Sequence, residues 1–284
     1  MGIFSDILLT VDYDRTLTGP DSSIPERNLE AIRYFMENGG SFTVNTGRSV
    51  PMSRVFMDKV PVNAPLLLYN GAAAYDVATG EFSQVVPIRL ELHQTVAEIR
   101  EMFPEMTVEL QGAAAHYRFW ENPAWDAFSD HQLCARGFAA PGDDVGPFLK
   151  LAVYGEIRDV TMASLFDASP EELQRMKDAE RQLIERYGEY CEICRSATRI
   201  IDIQPKGVSK GHSALELKKR LGKKLLVCVG DGENDITMMD AADHAYCPEG
   251  SIISHLYENV CACGDGAVAD VIYEKIPEIL KICP

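Results

Sequence analysis

The sequence has no surplus of positive charge. Its 284 residues include 27 lysines and arginines against 43 aspartates and glutamates, and the formal net charge is -16 at pH 7. Proteins that bind nucleic acids or anionic membranes by charge need basic surfaces, so we expect neither partner. A small anionic substrate stays compatible with this balance, because a few local cations can outweigh the global field at short range.

Long apolar runs are also missing. No stretch approaches the roughly 18 consecutive apolar residues that a membrane-spanning helix needs. The first six residues include no lysine or arginine and do not resemble a signal peptide, and Gly2 with Asp6 does not fit the myristoylation pattern. We therefore expect a cytoplasmic protein whose eight cysteines are thiols.

Two cysteine pairs leave a zinc site open as an alternative. Cys191 and Cys194 form a C-x-x-C spacing, and Cys261 and Cys263 lie two residues apart. In a strand, the odd spacing of the first pair points its side chains to opposite faces, which is poor for chelation. Scattered core thiols are therefore favoured over a four-thiol zinc centre.

A short apolar run near the start of the chain ends abruptly in two carboxylates. Residues 7–11 have the length and β-branched content of a buried strand, and Asp12 and Asp14 follow it. Ligands of open α/β sheets bind outside the carboxyl ends of the strands, and carboxylates held together there repel unless a cation relieves them. The pattern predicts a divalent ion, with Mg²⁺ favoured because it takes hard oxygen ligands. A solvated turn is the alternative for this pair taken alone.

A second predicted strand, residues 41–45, ends at Thr46-Gly47-Arg48, directly before a helix. The hydroxyl of Thr46, the local amides and the helix dipole together suit a phosphate. Arg48 adds a cation that can pair with a phosphate or with an acid. The alternative for Thr46 is a helix N-cap without a ligand.

The same pattern returns late in the chain. The almost continuous apolar run 224–229 predicts a central parallel strand, and it ends in a segment that contains Asp231, Asn234 and Asp235. Alternating strands and helices indicate an α/β fold with a Rossmann-like, doubly wound parallel sheet. The stretch between the two regions reads differently, and we interpret it as an inserted α+β cap domain. This gives a core of residues 1–81 and 189–284, which includes a strand at 199–203, and a cap of residues 82–188.

In combination, these segments resemble the haloacid dehalogenase superfamily. The insertion, together with Asn70-Gly71-Ala72, resembles the Cof-type subfamily with a large α/β (class IIB) cap. Arg15 is a departure, because many members carry glycine there, and it leaves the details of phosphate binding open. The matching motifs are Asp12-Tyr13-Asp14-Arg15-Thr16 (D-x-D-x-T), Thr46-Gly47-Arg48 (second motif), Val208-Ser209-Lys210-Gly211 (lysine motif) and Gly230-Asp231-Gly232-Glu233-Asn234-Asp235 (GD-x-x-ND).

The resemblance implies roles for these residues. Asp12 would be the nucleophile that forms an aspartyl-phosphate, and Asp14 would act as general acid and then general base. Lys210 would screen the charge of the phosphoryl group, with Lys206 as the competing lysine. Asp235 would support the site indirectly or orient Lys210. The remaining implied sites are a Mg²⁺ site of Asp12, the backbone carbonyl of Asp14, and Asp231, and a phosphate site of Thr46, Gly47, Arg48 and Asn234.

The function implied by the resemblance is a Mg²⁺-dependent phosphatase for a small phosphorylated metabolite, with sugar phosphates as candidates. Phosphoryl transfer to another acceptor, as in the phosphomutases of the superfamily, is one alternative. A catalytically silent metabolite-binding protein is another, although such a protein has no need of two acids around a metal. Neither the natural substrate nor the oligomeric state follows from the sequence.

Overall fold

The structure is a computed structural model that describes residues 2–131, 136–138, 146–157, 159 and 161–281. The strands are β1 (Ile7–Val11), β2 (Ser41–Val44), β3 (Leu66–Leu68), β4 (Ala73–Asp76), β5 (Glu81–Val85), β6 (Thr107–Gly112), β7 (His116–Arg118), β8 (Arg136–Phe138), β9 (Phe148–Tyr154), β10 (Cys191–Ala197), β11 (Ile200–Pro205), β12 (Leu225–Val229), β13 (His244–Pro248) and β14 (Glu258–Val260). The α-helices are α1 (Glu26–Glu37), α2 (Val50–Met57), α3 (Leu92–Met102), α4 (Pro123–His131), α5 (Pro170–Tyr187), α6 (Lys210–Arg220), α7 (Ile236–Ala241), α8 (Ala267–Asp270) and α9 (Ile276–Leu280). Among the described residues, no helix is both long and apolar enough to cross a membrane.

The contacts between residues divide the chain into two units. The first unit comprises Met1–Thr46, Phe56–Ser83 and Ser209–Pro284, and the second comprises Gly47–Val55 and Gln84–Val208. The chain therefore passes between the units at four points, and one of these points lies inside α2.

The first unit contains a five-stranded parallel sheet with the strand order β14-β13-β12-β1-β2. Val11 at the end of β1 is in register with Val229 on one side and with Val44 on the other. Three carboxyl ends are therefore level at one edge of the sheet. The segments after β1, β2 and β12 meet there, which is the arrangement that open α/β sheets use to bind ligands.

Both faces of this sheet are covered, which explains its apolar strands. Leu8 of β1 packs in one cluster with Leu217 of α6 and Met238 of α7. Leu9 and Val11 point to the opposite face, and they are also fully buried. A strand buried on both faces reads as a continuous apolar run. The predicted α/β class with a parallel sheet core is confirmed.

The second unit is built on a six-stranded sheet with the strand order β10-β11-β9-β6-β7-β8, in which only β7 and β8 pair in parallel. Leu110, Leu151 and Ile201 point to the face that packs on helices α3 and α5. Their strand neighbours Glu109, Lys150 and Asp202 point to the other face and are buried as well. This sheet therefore has one apolar face and one face with buried polar groups.

The structure differs from the sequence interpretation in the domain assignment of residues 189–208. Strands β10 and β11 lie in the second unit, where Ile201 of β11 pairs antiparallel with Val153, although we placed residues 189–208 in the core. The apolar pattern of β11 indicates a buried strand but not which sheet buries it. Strand β3 is short, and it touches the parallel sheet through a bridge between Asn45 and Leu67 while pairing antiparallel with β4.

Candidate active site

Asp12 stands at the carboxyl end of β1 because it continues the ladder of that strand. Its N–H donates to the carbonyl of Val229 at 2.9 Å, and the residue is buried. The chain then turns through a π-helical segment, Tyr13–Leu17, in which Arg15 adopts a left-handed conformation with φ 58°. Glycine adopts this conformation without steric cost, so it is the residue type expected at such a position. The turn brings Thr16 back to the strand ends, where its hydroxyl donates to Oδ1 of Asp231 at 2.9 Å.

Lys210 links two of the acids. Its Nζ lies 2.6 Å from Oδ1 of Asp12 and 2.6 Å from Oδ1 of Asp235, and the side chain is buried. Lys210 is the first residue of α6, whose N-cap Ser209 accepts a hydrogen bond from the N–H of His212. The helix start is further held by Asn45, whose Nδ2 donates to the carbonyl of Lys210 at 2.9 Å.

Asp235 organises the loop after β12. Its Oδ2 accepts hydrogen bonds from the N–H groups of Asp231 and Gly232, both at 3.0 Å. Its Oδ1 receives Lys210, so both carboxylate oxygens of Asp235 have donors. The side chain therefore fixes the loop and the lysine at the same time.

Crowding and burial shift the pKa values of these groups. Burial raises the pKa of Asp12 to about 7, against the opposing effect of Lys210 and with the help of Asp235 and Asp14. Burial, Asp12 and Asp235 together raise the pKa of Asp231 well above its usual range. Burial alone would lower the pKa of Lys210, but the carboxylates of Asp12 and Asp235 overcome this and raise it. Without a further cation, the ionised forms of Asp12 and Asp231 are therefore destabilised by burial and mutual repulsion.

A divalent cation fits this donor set. Carboxylate oxygens of Asp12, Asp231 and Asp235 lie within 4.8 Å of one another, and among the described residues no other group of three acidic, histidine or cysteine side chains does so. Three carboxylates and one ammonium leave a formal charge of -2 when all are ionised. Since Asp235 already receives donors on both oxygens, Asp12 and Asp231 are the acids that remain for a metal ion.

The cysteine pairs form no comparable cluster in the described part of the chain. Cys191 is buried in the core of the second unit, and Cys194 follows three residues later in the same strand. Cys191, Cys194, Cys261 and Cys263 are all free thiols.

Thr46 is fixed by backbone hydrogen bonds of the first unit. Its N–H donates to the carbonyl of Leu67 at 2.9 Å, and its carbonyl accepts from the N–H of Asn70 at 3.0 Å. Asn234 donates through Nδ2 to Oδ1 of Asn70 at 3.2 Å. Two of the predicted phosphate-binding residues, Thr46 and Asn234, are thus joined through Asn70.

The other two predicted phosphate-binding residues, Gly47 and Arg48, belong to the second unit. Arg48 is buried, and its Nη1 donates to the carbonyl of Met52 in α2 at 3.4 Å. Lys206, the competing lysine, also lies in that unit, where it pairs with Glu192 and keeps half of its side chain exposed.

Two asparagines at the site were not assigned a role from the sequence. Asn45 holds the start of α6, and Asn70 lies between Thr46 and Asn234. Asn70 sits in a run of left-handed residues, with φ 54° at Tyr69, 55° at Asn70 and 99° at Gly71. The asparagine-glycine pair after an apolar run was a usable signal for such a conformation, since both residue types tolerate it.

Comparison with known proteins decides the family. A sequence profile of the haloacid dehalogenase-like hydrolases matches residues 9–249. The chain belongs to the haloacid dehalogenase-like hydrolases. The matched range contains every acid, lysine and threonine of the site described above, and the predicted resemblance to this superfamily is confirmed.

This haloacid dehalogenase-like hydrolase is similar to proteins that carry phosphatase names. It is 27% identical over 252 residues to an HMP-PP phosphatase from Escherichia fergusonii, with 84% of this chain and 82% of the relative covered. Its fold resembles SMU.1108c from Streptococcus mutans, with a TM-score of 0.78 at 17% identity, covering 95% of this chain and 98% of the other. It also resembles the subclass IIB sugar phosphatase BT4131, with a TM-score of 0.73 at 17% identity, covering 97% and 99% of the two chains. The prediction of a hydrolase of the phosphatase type agrees with these names, and the structural likenesses concern the fold alone.

Proposed function

We propose that this protein is a Mg²⁺-dependent phosphatase that hydrolyses a small phosphorylated metabolite through an aspartyl-phosphate on Asp12. The observation that carries the proposal is the buried cluster in which Lys210 bridges Asp12 and Asp235 beside Asp231. The phosphatase names of the similar proteins support the same chemistry. Sugar phosphates are the substrates to test first, since BT4131 is named a sugar phosphatase.

Asp12 has the position and surroundings of a nucleophile. An oxygen of its carboxylate forms a bond to phosphorus while the bond from phosphorus to the leaving oxygen breaks. Two anions must approach each other, so cationic screening is required, and Lys210 supplies one fixed positive charge at 2.6 Å. Asp14, two residues beyond, protonates the leaving oxygen and then takes a proton from the water that hydrolyses the aspartyl-phosphate.

Asp12 and Asp231 would hold Mg²⁺, with the backbone carbonyl of Asp14 as the third protein ligand. The bound ion supplies positive charge that stabilises the ionised acids and the phosphoryl oxygens. Thr16 orients Asp231 by donating its hydroxyl hydrogen to Oδ1, and Asp235 orients Lys210 and the loop amides.

The phosphoryl group is held by the segment after β2. Thr46 would donate its hydroxyl, Gly47 and Arg48 would follow with an amide and a guanidinium, and Asn234 would donate from the loop after β12. We further propose that the second unit is the cap that supplies leaving-group specificity, and that the enzyme acts in the cytoplasm.

The proposal is tested by phosphate release from a panel of phosphorylated metabolites, with Mg²⁺ and with a chelator. Wild-type protein is expected to release phosphate only with Mg²⁺, and Asp12→Asn is expected to lose at least about 10³-fold in rate because it lacks the nucleophile. The matched control is Asp6→Asn, an exposed acid that pairs with Lys224 at the surface. Release that survives in Asp12→Asn would contradict the nucleophile. An isomeric product without free phosphate would instead indicate a mutase, and binding without turnover a silent binder.

A further inference from the structure

The short segment after Thr46 is held inside the second unit by two polar contacts with the buried side chains of Lys150 and His116. Nζ of Lys150 donates to the carbonyl of Gly47 at 2.7 Å, and Nε2 of His116 lies 2.6 Å from Oγ of Ser49. Arg48 lies between the two anchored residues. We call residues 47–49 the anchored segment, and it follows directly on the proposed phosphate-binding Thr46.

The first anchor is a buried charge. Lys150 of β9 is 4% exposed, and its Nζ lies 3.0 Å from Oδ1 of Asp202, which is completely buried on β11. Burying an ion pair costs desolvation free energy that a packed apolar pair does not cost. Stability alone therefore gives no reason for this pair. The donation from Lys150 to the Gly47 carbonyl is something that an apolar pair could not provide.

The second anchor is a fixed histidine. Nδ1 of His116 lies 3.2 Å from Oε1 of Glu109, a fully buried acid. The Glu109 carboxylate also receives hydrogen bonds from Gln111 Nε2 at 2.6 Å, Trp125 Nε1 at 2.5 Å and Tyr154 OH at 3.1 Å. With four donors around it, this carboxylate holds the imidazole ring in one orientation.

The contacts of Ser49 complete this chain of hydrogen bonds. Its Oγ accepts from the N–H of Met52 at 3.3 Å and forms a hydrogen bond of 2.6 Å with Nε2 of His116. Ser49 is at once tied to the sheet and to the first turn of α2.

We infer that Lys150 and His116 are positioning residues for phosphate binding, acting through the anchored segment. Thr46 is fixed on its own side by Leu67 and Asn70, and Lys150 fixes the carbonyl of the next residue. The amides that follow Thr46 and the side chain of Arg48 are thereby presented in one geometry. Small displacements of groups that hold a reacting phosphoryl group lower the rate steeply. The inference rests on the proposed function of Thr46, Gly47 and Arg48.

The alternative role for Lys150 is direct contact with the leaving group. Inhibition by inorganic phosphate distinguishes this role from positioning. Inorganic phosphate has no leaving group, so its competitive inhibition constant reports on the phosphate site alone. A positioning residue must change this constant, whereas a residue that contacts only the leaving group changes the KM of the substrate and leaves the constant unaltered.

The experiment measures inhibition by inorganic phosphate with p-nitrophenyl phosphate as substrate. The variant is Lys150→Met with Asp202→Asn, because the double change leaves no unpaired buried charge. We expect the inhibition constant of inorganic phosphate to rise about tenfold, the value of one hydrogen bond from a charged donor. Ser49→Ala, which removes the second anchor with a minimal change, is expected to raise it about threefold. The control is Lys177→Met on the exposed side of α5, which should leave it unchanged.

Thermal denaturation shows which variants fold, and Ser49→Ala carries the test if the double variant does not. Unchanged phosphate inhibition in folded variants, with or without a change in KM, would overturn the inference. If the wild-type protein neither releases phosphate nor binds inorganic phosphate, the proposed function fails and the inference fails with it. If the wild type is active and the folded variants have its inhibition constant for inorganic phosphate, the inference fails while the proposed function stands.

Discussion

Single residues at the end of β1 and β12 are crowded beyond what one lysine neutralises. Burial raises the pKa of Asp12 to about 7, and burial with two neighbouring acids raises that of Asp231 well above its usual range. As the pH rises, these acids therefore lose their protons at a higher pH in the metal-free folded protein than in the unfolded chain. A divalent cation needs the ionised form, so metal and protons compete for the same oxygens.

This competition predicts a pH-dependent stabilisation by Mg²⁺. The pKa of Asp12 is higher in the folded state than its unfolded value of 3.8, so its contribution to stability is present below that value and is lost as pH rises to about 7. At pH 8 Asp12 has lost its proton and adds its charge to the repulsion, whereas at pH 5 the bound proton removes that charge. Mg²⁺ should therefore raise the melting temperature more at pH 8 than at pH 5, measured by thermal denaturation against a chelator control.

Asp231→Asn is the matched variant for this measurement. The amide keeps the size of the side chain and can still meet the Thr16 hydroxyl, but it removes one charged ligand and one source of repulsion. The Mg²⁺-dependent gain should shrink in this variant at pH 8. An equal gain at both pH values, or a full gain in Asp231→Asn, would exclude this cluster as the magnesium site.

At the scale of elements, the position of Lys210 depends on how closely α6 approaches α7. Gly211 follows Lys210, and a Cβ at this position would lie 2.0 Å from the backbone carbonyl oxygen of Thr237. The backbone at Thr237 cannot move aside to relieve this clash as the end of a flexible side chain could. We expect Gly211→Ala to push the start of α6 outward and to destabilise the protein by about 2 kcal/mol. Phosphate release should fall in the variant that still folds, because Lys210 moves with the helix.

Gly264→Ala is the control for this prediction. Its Cβ would meet its nearest neighbour, Cδ of Pro20, at 3.7 Å, and its φ lies outside the left-handed region. Chemical denaturation and phosphate release measured side by side separate loss of stability from loss of geometry. Gly211→Ala with wild-type stability and activity would show that α6 can shift without moving Lys210.

The elements show what the sequence could and could not predict. The strands that carry Asp12 and Asp231 were predictable, because a strand buried on both faces gives an uninterrupted apolar run. Strand β11 has nearly the same apolar run, interrupted by Asp202, which is buried in an ion pair with Lys150. Because of this similarity we assigned β11 to the core, although it pairs with β9 in the second unit. Local pattern reports burial, whereas the choice of sheet depends on pairing partners far away in sequence.

Some parts of the candidate site have a local signal in the sequence, and other parts have none. The acids at 12 and 231 indicate a cation, whereas Lys210 was assigned to the site only from the family resemblance. Its contact with Asp12, 198 positions away, comes from the structure. Asn45 at the start of α6 and Lys150 at the Gly47 carbonyl gave no local signal. Their partners are backbone carbonyls, and backbone carbonyls exist at every residue, so only the tertiary structure selects one.

For the whole molecule, the tryptophans and the acid cluster report on different units. Trp120 and Trp125 belong to the second unit, where Trp125 is fully buried on Glu109 and Trp120 lies under the guanidinium of Arg100. Asp12 and Asp231 belong to the first unit. Unfolding followed by tryptophan fluorescence thus observes one unit, while the proposed Mg²⁺ site lies in the other.

The path of the chain predicts that the two units unfold together. The chain passes between them four times, and the single helix α2 contributes residues to both, so neither unit can keep its own part of α2 while the other unfolds. Mg²⁺ at about 100 times its dissociation constant adds about 2.7 kcal/mol to the native state. In urea titrations, the tryptophan fluorescence midpoint should therefore shift with Mg²⁺ by as much as the far-UV circular dichroism midpoint. Asp231→Asn should reduce both shifts equally. A circular dichroism shift without a fluorescence shift would show that the second unit unfolds on its own.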